Sequence, residues 1–166
     1  KLVQRWRDQV KATGQKVDAR IINTSSASGL QGSIGQSNYA AVKGGIASLT
    51  LVQAAELGRY GITANALAPA ARTAMTEKIF AEQMKKPEGS TFDFFDAANV
   101  APLVVWLCSP LSAQVTGQVF EVAGGQVSIA GGWKTGAVRD KKARWQPAEL
   151  TDVVNELIAQ APRAQK

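Results

Sequence analysis

Three short apolar segments rich in β-branched residues alternate with two longer segments of helical periodicity, and this alternation restricts the fold more than any other feature. The pattern predicts strands over residues 18–24, 62–68 and 116–122, and helices over residues 38–59 and 97–108. Such an order is typical of right-handed crossovers between parallel strands. We therefore expect an α/β fold with a parallel sheet, in which ligands bind beyond the carboxyl ends of the strands.

Capping residues and prolines set the expected ends of these segments. An amphipathic helix over residues 1–12 is followed by Gly14, which is expected to end it. Ser37 is expected to cap the long helix, and Pro69 is expected to stop the second strand. Pro102 should kink the later crossover helix or delay its start, because an interior proline costs about 3 kcal/mol. The serine- and glycine-rich stretch before the long helix predicts a surface loop.

The chain contains no histidine and a single cysteine, Cys108. Within this chain, Ser-His-Asp and Cys-His catalysis, cysteine zinc sites and intramolecular disulfides are therefore excluded, which leaves Tyr, Lys, Ser and carboxylate chemistry. The net charge of +6 suits an anionic partner. Its basic residues concentrate at residues 1–20 and 134–144 with few aromatic residues among them, so nucleic acid is not the expected partner. The absence of a membrane-length apolar run and of a secretory signal predicts a cytoplasmic protein with no membrane partner.

Tyr39 and Lys43 are four residues apart at the start of the long helix, so their side chains share one helix face. An ammonium beside a phenol stabilises the phenolate, and such a pair can perform general acid/base chemistry without histidine. Ser26 lies thirteen residues before Tyr39, on the loop that leaves the first strand. Its hydroxyl can there hydrogen-bond an oxygen that changes charge during a reaction. The alternative interpretation is an exposed Tyr–Lys pair without a chemical role.

Three motifs follow one another along the chain: IINTSS at residues 21–26, NYAAVKGG at residues 38–45 and GITANALAP at residues 61–69. In this order they resemble the short-chain dehydrogenase/reductase family. The segments VAPLVVWLC at residues 100–108 and GQVFEV at residues 117–122 resemble one branch of it. That branch contains the (3R)-hydroxyacyl-CoA dehydrogenase unit of peroxisomal multifunctional enzyme type 2 and bacterial relatives that degrade sterol side chains.

The resemblance implies a role for each candidate residue. Tyr39 is implied to be the acid/base, Lys43 to stabilise its phenolate and bind the nicotinamide ribose, and Ser26 to hold the substrate hydroxyl or carbonyl. Four residues are implied to lie beside the nicotinamide, with backbone groups and a threonine hydroxyl reaching its carboxamide: Pro69, Ala70, Arg72 and Thr73. Ala70 departs from the glycine that most members have after this proline, and its methyl group should narrow the approach to the ring.

The glycine-rich turn that presents a helix N-terminus to the cofactor pyrophosphate in this family has no counterpart here. The implied fold is therefore a Rossmann-like, doubly wound parallel sheet of which the chain contains the C-terminal half, with three strands and flanking helices. We expect residues 1–125 to form this half-domain. Residues 126–166 are expected to form a C-terminal extension that packs on it, with a last helix over residues 147–160. The missing N-terminal half of the same domain is then an expected partner.

The implied reaction is the NAD-dependent oxidation of a 3-hydroxyacyl-CoA to a 3-oxoacyl-CoA in fatty-acid or sterol side-chain β-oxidation, with NADP as the alternative cofactor. Within the family, the alternatives are a 17β-hydroxysteroid dehydrogenase, with a steroid substrate, and a 3-oxoacyl-carrier-protein reductase. A truncated, non-catalytic dimer partner is the alternative from another class, favoured by the missing turn. The family forms dimers through its long helix, so a homodimer or homotetramer is expected. A contact between copies at Gly44, Gly45 and Ser48 would explain these small residues, and packing within one subunit would explain them nearly as well.

The apolar residues after the second strand lie where the family has its substrate lid, and a small satellite core is the alternative. They are Phe80, Met84, Phe92, Phe94 and Phe95. Trp106 and Cys108 are predicted to belong to the core. Lys85, Lys86 and the basic stretch at residues 134–144 are either contacts for coenzyme A phosphates or solvated surface charges.

Overall fold

The computed structural model describes residues 1–162, and the chain divides into two compact units, one from Lys1 to Ala130 and one that begins at Gly131. The first unit contains the helices α1 (Leu2–Thr13), α2 (Ala27–Gln31), α3 (Ser37–Leu57), α4 (Glu77–Phe80) and α5 (Ala101–Cys108) and the strands β1 (Ala19–Thr24), β2 (Ile62–Ala70), β3 (Val119–Ala123) and β4 (Gln126–Ile129). The second unit contains α6 (Leu150–Gln160).

The four strands form one sheet in the order β1-β2-β3-β4. The first three strands are parallel, with Thr24 opposite Leu67 and Leu67 opposite Phe120. The predicted α/β fold with a parallel sheet is therefore confirmed, and the carboxyl ends of the three strands lie at one edge. The fourth strand was not expected. The chain reverses at Gly124, whose φ is 56°, and β4 then pairs antiparallel with β3.

Strand β2 lies at the centre of the core, and its residues Ile62 to Ala68 are all buried. Alternate side chains of a strand point to opposite faces, so the strand contributes to two clusters. Ile62 packs with Ala19 and Leu57 in one. The other cluster is formed by three large apolar residues from β2, α5 and β3, namely Leu67, Leu107 and Phe120.

Strand β2 continues through Pro69 to Ala70, so the prediction that this proline stops the strand is wrong. The reason lies in the direction of the backbone groups. Ser25 N–H donates to the Leu67 carbonyl at 2.6 Å, so the backbone N–H and C=O groups of odd-numbered residues in β2 point toward β1. The Pro69 nitrogen points to the same side, past Thr24, where β1 has ended and the ladder requires no N–H.

The start of α3 also differs from expectation. Ser37 is the first residue inside the helix, Gln36 occupies the N-cap, and neither a serine nor any other side chain caps the helix there. The Gln36 side chain instead accepts a hydrogen bond from the Ser28 hydroxyl at 2.8 Å. That bond connects the N-cap of α3 to the preceding segment. The segment was predicted to be a loop, but it contains the short helix α2.

Helix α5 confirms the predicted effect of Pro102 but not the predicted core. A 3-10 turn over Ala97–Val100, capped by Asp96, precedes it, and the proline occupies the first turn of the helix proper. Leu107 is completely buried, whereas Trp106 is 37 % exposed and Cys108 is exposed. The prediction that Trp106 and Cys108 belong to the core is therefore wrong. A helix of eight residues that packs on one side of a sheet buries only a narrow stripe.

In the second unit, a 3-10 turn over Pro147–Glu149 leads into α6. Ion pairs connect the segment before it to the helix region, with Arg139 bonded to Glu156 at 2.9 Å and Lys141 to Glu149 at 2.5 Å. None of the helices within residues 1–162 has both the length and the apolar character that crossing a bilayer requires.

Candidate active site at the carboxyl end of the first strand

Lys43 connects the long helix to the end of the sheet. Its Nζ donates a hydrogen bond to the carbonyl of Thr24, the last residue of β1, at 2.9 Å. The same nitrogen lies 5.7 Å from the centroid of the Tyr39 ring. An ammonium at this distance is attracted to the aromatic face. The predicted Tyr39–Lys43 pair is thus brought together at the carboxyl edge of the sheet.

Tyr39 lies in the first turn of α3 and its side chain is 42 % exposed. Its phenol is therefore accessible to a ligand, which a proton-transfer group requires. Its backbone N–H donates to the side chain of Asn38 at 2.8 Å, so one backbone donor of the uncapped helix start is satisfied locally.

Ser25 and Ser26 follow β1 and hold the chain in a defined position. The Ser25 backbone extends the β1–β2 ladder by one hydrogen bond, to the Leu67 carbonyl. Its buried side chain donates to the Lys43 carbonyl at 2.8 Å. Ser26 comes next and forms the N-cap of α2, where its Oγ accepts a hydrogen bond from Ser28 N–H at 3.2 Å. A hydroxyl that accepts one hydrogen bond keeps its own hydrogen for donation.

Helices α2 and α3 approach each other through two glycines. A Cβ added to Gly29 would lie 2.5 Å from both the Gly44 nitrogen and the Lys43 carbonyl carbon. A Cβ added to Gly44 would lie 2.9 Å from the Gly29 carbonyl oxygen. The predicted need for a small residue at Gly44 is thus explained within one subunit. Gly45 has no heavy atom within 4 Å of its added Cβ, so a contact between copies at this position remains a prediction.

The four residues that the resemblance placed beside a nicotinamide lie at and just after the end of β2. Pro69 and Ala70 are its last residues and pair with Val122 and Ala123 of β3. The Thr73 hydroxyl lies 3.3 Å from that of Thr76, and its backbone N–H donates to the same hydroxyl at 2.7 Å. The Thr73 side chain is therefore turned toward α4 in this structure.

Arg72 is committed to contacts within its own region. Its guanidinium pairs closely with Asp93, contacts Glu77 at 3.5 Å and donates to the Met84 carbonyl at 2.7 Å. The hydrogen bond that Arg72 donates to Asp93 raises the pKa of the guanidinium, and the same bond lowers the pKa of the Asp93 carboxyl. The Arg72 backbone N–H donates to the Phe95 carbonyl at 2.7 Å. This arginine thus closes the base of the segment from residue 73 to residue 92.

The phenylalanines between β2 and α5 divide into two groups. Phe94 and Phe95 pack edge to face with centroids 5.0 Å apart, and the ring of Phe94 covers the backbone of Gly124. Phe80 and Phe92 are exposed by 41 % and 50 %. The first pair behaves as a small satellite core, and the second pair is available to a ligand, so the two interpretations of this segment each describe part of it.

Sequence reasoning missed Ser25 as a positioning residue. It is 2 % exposed, and its hydroxyl is the buried connection between β1 and the backbone of Lys43. A serine beside another serine on a polar loop gave no sign of burial.

In the described residues, no group of three or more His, Cys, Asp and Glu side chains could hold a metal ion.

Comparisons with known proteins show what this chain is similar to. A family model described as enoyl-(acyl carrier protein) reductase matches residues 3–126. Hydroxyacyl-CoA dehydrogenase ChsB1 of Mycobacterium tuberculosis is 43 % identical over 156 residues, which cover 93 % of this chain and 49 % of that protein. Human (3R)-3-hydroxyacyl-CoA dehydrogenase is 42 % identical over 111 residues, which cover 63 % of this chain and 41 % of that protein.

A solved structure is similar to nearly the whole of this chain. The crystal structure of a short chain dehydrogenase from Mycobacterium avium matches with a TM-score of 0.82 and 50 % identity, over 98 % of this chain and 51 % of that one. The chain thus spans about half the length of the relatives that it matches.

Proposed function

Because this chain belongs to the short-chain dehydrogenase/reductase family, we propose that it supplies the proton-transfer residues for the NAD-dependent oxidation of a 3-hydroxyacyl-CoA to a 3-oxoacyl-CoA. The observation that carries this proposal is the position of Lys43 Nζ, between the Thr24 carbonyl and the Tyr39 ring. That arrangement holds a cation beside an accessible phenol at the edge of the sheet where ligands bind.

Tyr39 acts in this proposal as the general base for oxidation. The phenolate oxygen takes the proton of the substrate hydroxyl, and the nearby ammonium of Lys43 stabilises the negative charge that the phenolate carries before transfer. The Ser26 hydroxyl donates to the same substrate oxygen and fixes its position. In the reverse direction, the Tyr39 phenol returns the proton to the carbonyl oxygen of the substrate.

The residues present fit a nicotinamide nucleotide at the ends of β1 and β2. One hydrogen of the Lys43 ammonium bonds to the Thr24 carbonyl, which leaves two donors for the oxygens of a ribose. Pro69, Ala70 and the neighbouring Ala123 have small side chains at the ends of adjacent strands. A flat ring can lie against them, at a greater distance from the backbone than a glycine in place of Ala70 would allow. When bound, the nicotinamide would take up the hydrogen and electron pair that leave the substrate carbon.

The relatives support the choice of substrate. The two curated proteins compared above are named as hydroxyacyl-CoA dehydrogenases, and the first of them matches nearly the whole of this chain. The exposed Phe80 and Phe92 of the segment after β2 provide apolar surface for an acyl chain.

The experiment is a comparison of Tyr39→Phe with Tyr60→Phe in the protein as its gene encodes it. The second variant is a matched control, because Tyr60 is the other tyrosine of this chain and lies between Arg7 and Arg59. We expect Tyr39→Phe to lower kcat for 3-hydroxyacyl-CoA by about 10²- to 10⁴-fold with little change in NADH affinity measured by titration. Tyr60→Phe should retain kcat. Retained turnover in Tyr39→Phe would overturn the assigned role.

The substrate class is tested separately on the wild type with three matched substrates: a 3-hydroxyacyl-CoA, a 17β-hydroxysteroid and a 3-oxoacyl carrier protein. A kcat/KM that is highest for the acyl-CoA supports the proposal. A higher value for either of the other two would replace the proposed substrate, and failure to bind NADH would favour a non-catalytic partner.

A further inference from the structure

The segment between β2 and α5 forms a pocket of about 320 Å³ with a positive lining. The lining residues are Arg72, Glu77, Ala81, Lys85 and Lys86. Three cationic side chains thus face a single carboxylate. Arg72 follows Ala70, the last residue of β2, by two positions, so the pocket adjoins the edge of the sheet where the candidate active site lies.

The Arg72 guanidinium is occupied within the pocket wall. It pairs with Asp93 and contacts Glu77, and these two carboxylates more than offset its single positive charge. The side chains of Arg72 and Asp93 are only 24 % and 14 % exposed, so the pair is a fixed part of the wall. The positive character of the pocket therefore comes from the two lysines.

The position of Lys85 and Lys86 is set by their neighbour Met84. The Arg72 guanidinium binds the Met84 carbonyl at 2.7 Å, which anchors the backbone immediately before both lysines. Among residues 1–162, neither lysine takes part in an ion pair. The pKa of Asp93 is lowered by its bond with Arg72 and further by the charge of Lys86, but that carboxylate is already paired with Arg72. The two ammonium groups on the anchored backbone can therefore bind an anion with two or more charges.

We propose that this pocket binds the phosphate groups of the coenzyme A part of the substrate. The inference rests on the proposed function, because it assigns a place to part of the acyl-CoA that this function requires. In an acyl-CoA, the pantetheine arm separates the reacting acyl chain from the phosphates. The pocket lining contains none of Ser26, Tyr39 and Lys43, and the pocket lies on the segment that also offers Phe80 and Phe92 to the acyl chain. A phosphate site there is separate from the catalytic residues, as the arm requires.

The test separates the phosphates from the rest of the substrate. The KM of the protein as its gene encodes it is measured for a 3-hydroxyacyl-CoA and for the N-acetylcysteamine thioester of the same acid, which lacks phosphate. The double variant Lys85→Gln/Lys86→Gln should raise the ratio of the CoA KM to the N-acetylcysteamine KM about five- to tenfold, as expected for the loss of two partly solvated charge contacts. Salt should raise the CoA KM of the wild type more than that of the variant.

Lys78→Gln is the matched control, because Lys78 lies on α4 in the same segment but does not line the pocket. It should leave the KM ratio at the wild-type value. An unchanged ratio in the double variant, an equal change in Lys78→Gln, or a rise in the KM for the nicotinamide nucleotide in place of that for CoA would overturn the proposal.

A second measurement makes the two proposals separable. Wild-type protein that oxidises neither thioester would overturn the proposed function, and the pocket is then decided by titration with adenosine 3′,5′-bisphosphate. A five- to tenfold weaker Kd in the double variant, with Lys78→Gln unchanged, supports the phosphate site. Equal Kd values in all three proteins would overturn it.

Discussion

The contact between α2 and α3 should make two adjacent glycines respond differently to the same substitution. Gly44 and Gly45 both lie inside α3, so replacement by alanine gains about 1 kcal/mol of helix propensity at either site. At Gly45 the new methyl group meets no heavy atom within 4 Å. Gly45→Ala should therefore stabilise the protein by about 1 kcal/mol.

At Gly44 the methyl group would lie 2.9 Å from the Gly29 carbonyl oxygen. A backbone oxygen cannot rotate away, so α2 must shift, and such overpacking costs about 1–3 kcal/mol. After the gain in helix propensity is subtracted, Gly44→Ala should lower the free energy of unfolding by between zero and about 2 kcal/mol. Its free energy of unfolding should therefore be about 1–3 kcal/mol lower than that of Gly45→Ala. Gly29→Ala should cost more, because its methyl group would lie 2.5 Å from backbone atoms of both Lys43 and Gly44.

The assay is thermal unfolding combined with turnover. A difference of 1–3 kcal/mol corresponds to roughly 2–12 °C in Tm for a chain of this size class. Since Ser26 is the N-cap of α2, kcat should also fall in Gly44→Ala and not in Gly45→Ala. Equal Tm and equal kcat in the two variants would refute the reasoning. A loss of stability in Gly45→Ala that depends on protein concentration would instead locate a contact between copies at Gly45.

Two further substitutions test other parts of the structure. The side chain of Asn65 is buried, donates to the Val115 carbonyl at 2.8 Å and accepts from Gln118 N–H at 3.1 Å. Because Asn65→Ala leaves these two backbone groups unpaired, it should lower the free energy of unfolding by roughly 2–5 kcal/mol, measured by denaturant unfolding. A loss below about 1 kcal/mol would contradict this. The hydrogen bond from Arg72 lowers the pKa of Asp93 below its ordinary value of 3.8, so this pair stabilises the fold above that pH and the contribution is lost as the pH falls below it. Tm of the wild type should therefore fall more steeply in this acidic range than Tm of Asp93→Asn, and parallel curves would show that the pair contributes no pH-dependent stability.

The parallel sheet and the Tyr39–Lys43 pair could be predicted because they depend on local patterns. Strand and helix periodicity places β1 and α3, and helical spacing of four residues places the two side chains on one face. Their meeting at the carboxyl edge follows from the topology of a parallel crossover. No longer-range information is needed for either conclusion.

Features that depend on distant partners were not predictable. Arg72 pairs with Asp93 across 21 residues of sequence, and nothing in the composition of that segment indicates which carboxylate the guanidinium selects. Strand β4 is a different case: it has only four residues, all exposed, but QVSI alternates polar and apolar residues after Gly124 and Gly125, a hairpin signal that the sequence analysis missed. Trp106 was misplaced for a related reason, because an apolar octapeptide does not reveal which of its faces meets the sheet.

The contacts at the end of β1 lead us to expect that the site tolerates little change in residue size. Lys43 is fixed at two points by consecutive residues, since its carbonyl accepts from the Ser25 hydroxyl and its ammonium donates to the Thr24 carbonyl. Ser26, which follows Ser25, is the N-cap of α2, the helix whose Gly29 touches Gly44. A displacement of α2 away from α3 is therefore expected to strain the bond from Ser25, one residue before that cap, to the Lys43 carbonyl. The positions of the serine hydroxyl and of the ammonium are consequently coupled through backbone contacts, and a single methyl group between the two helices is expected to move both.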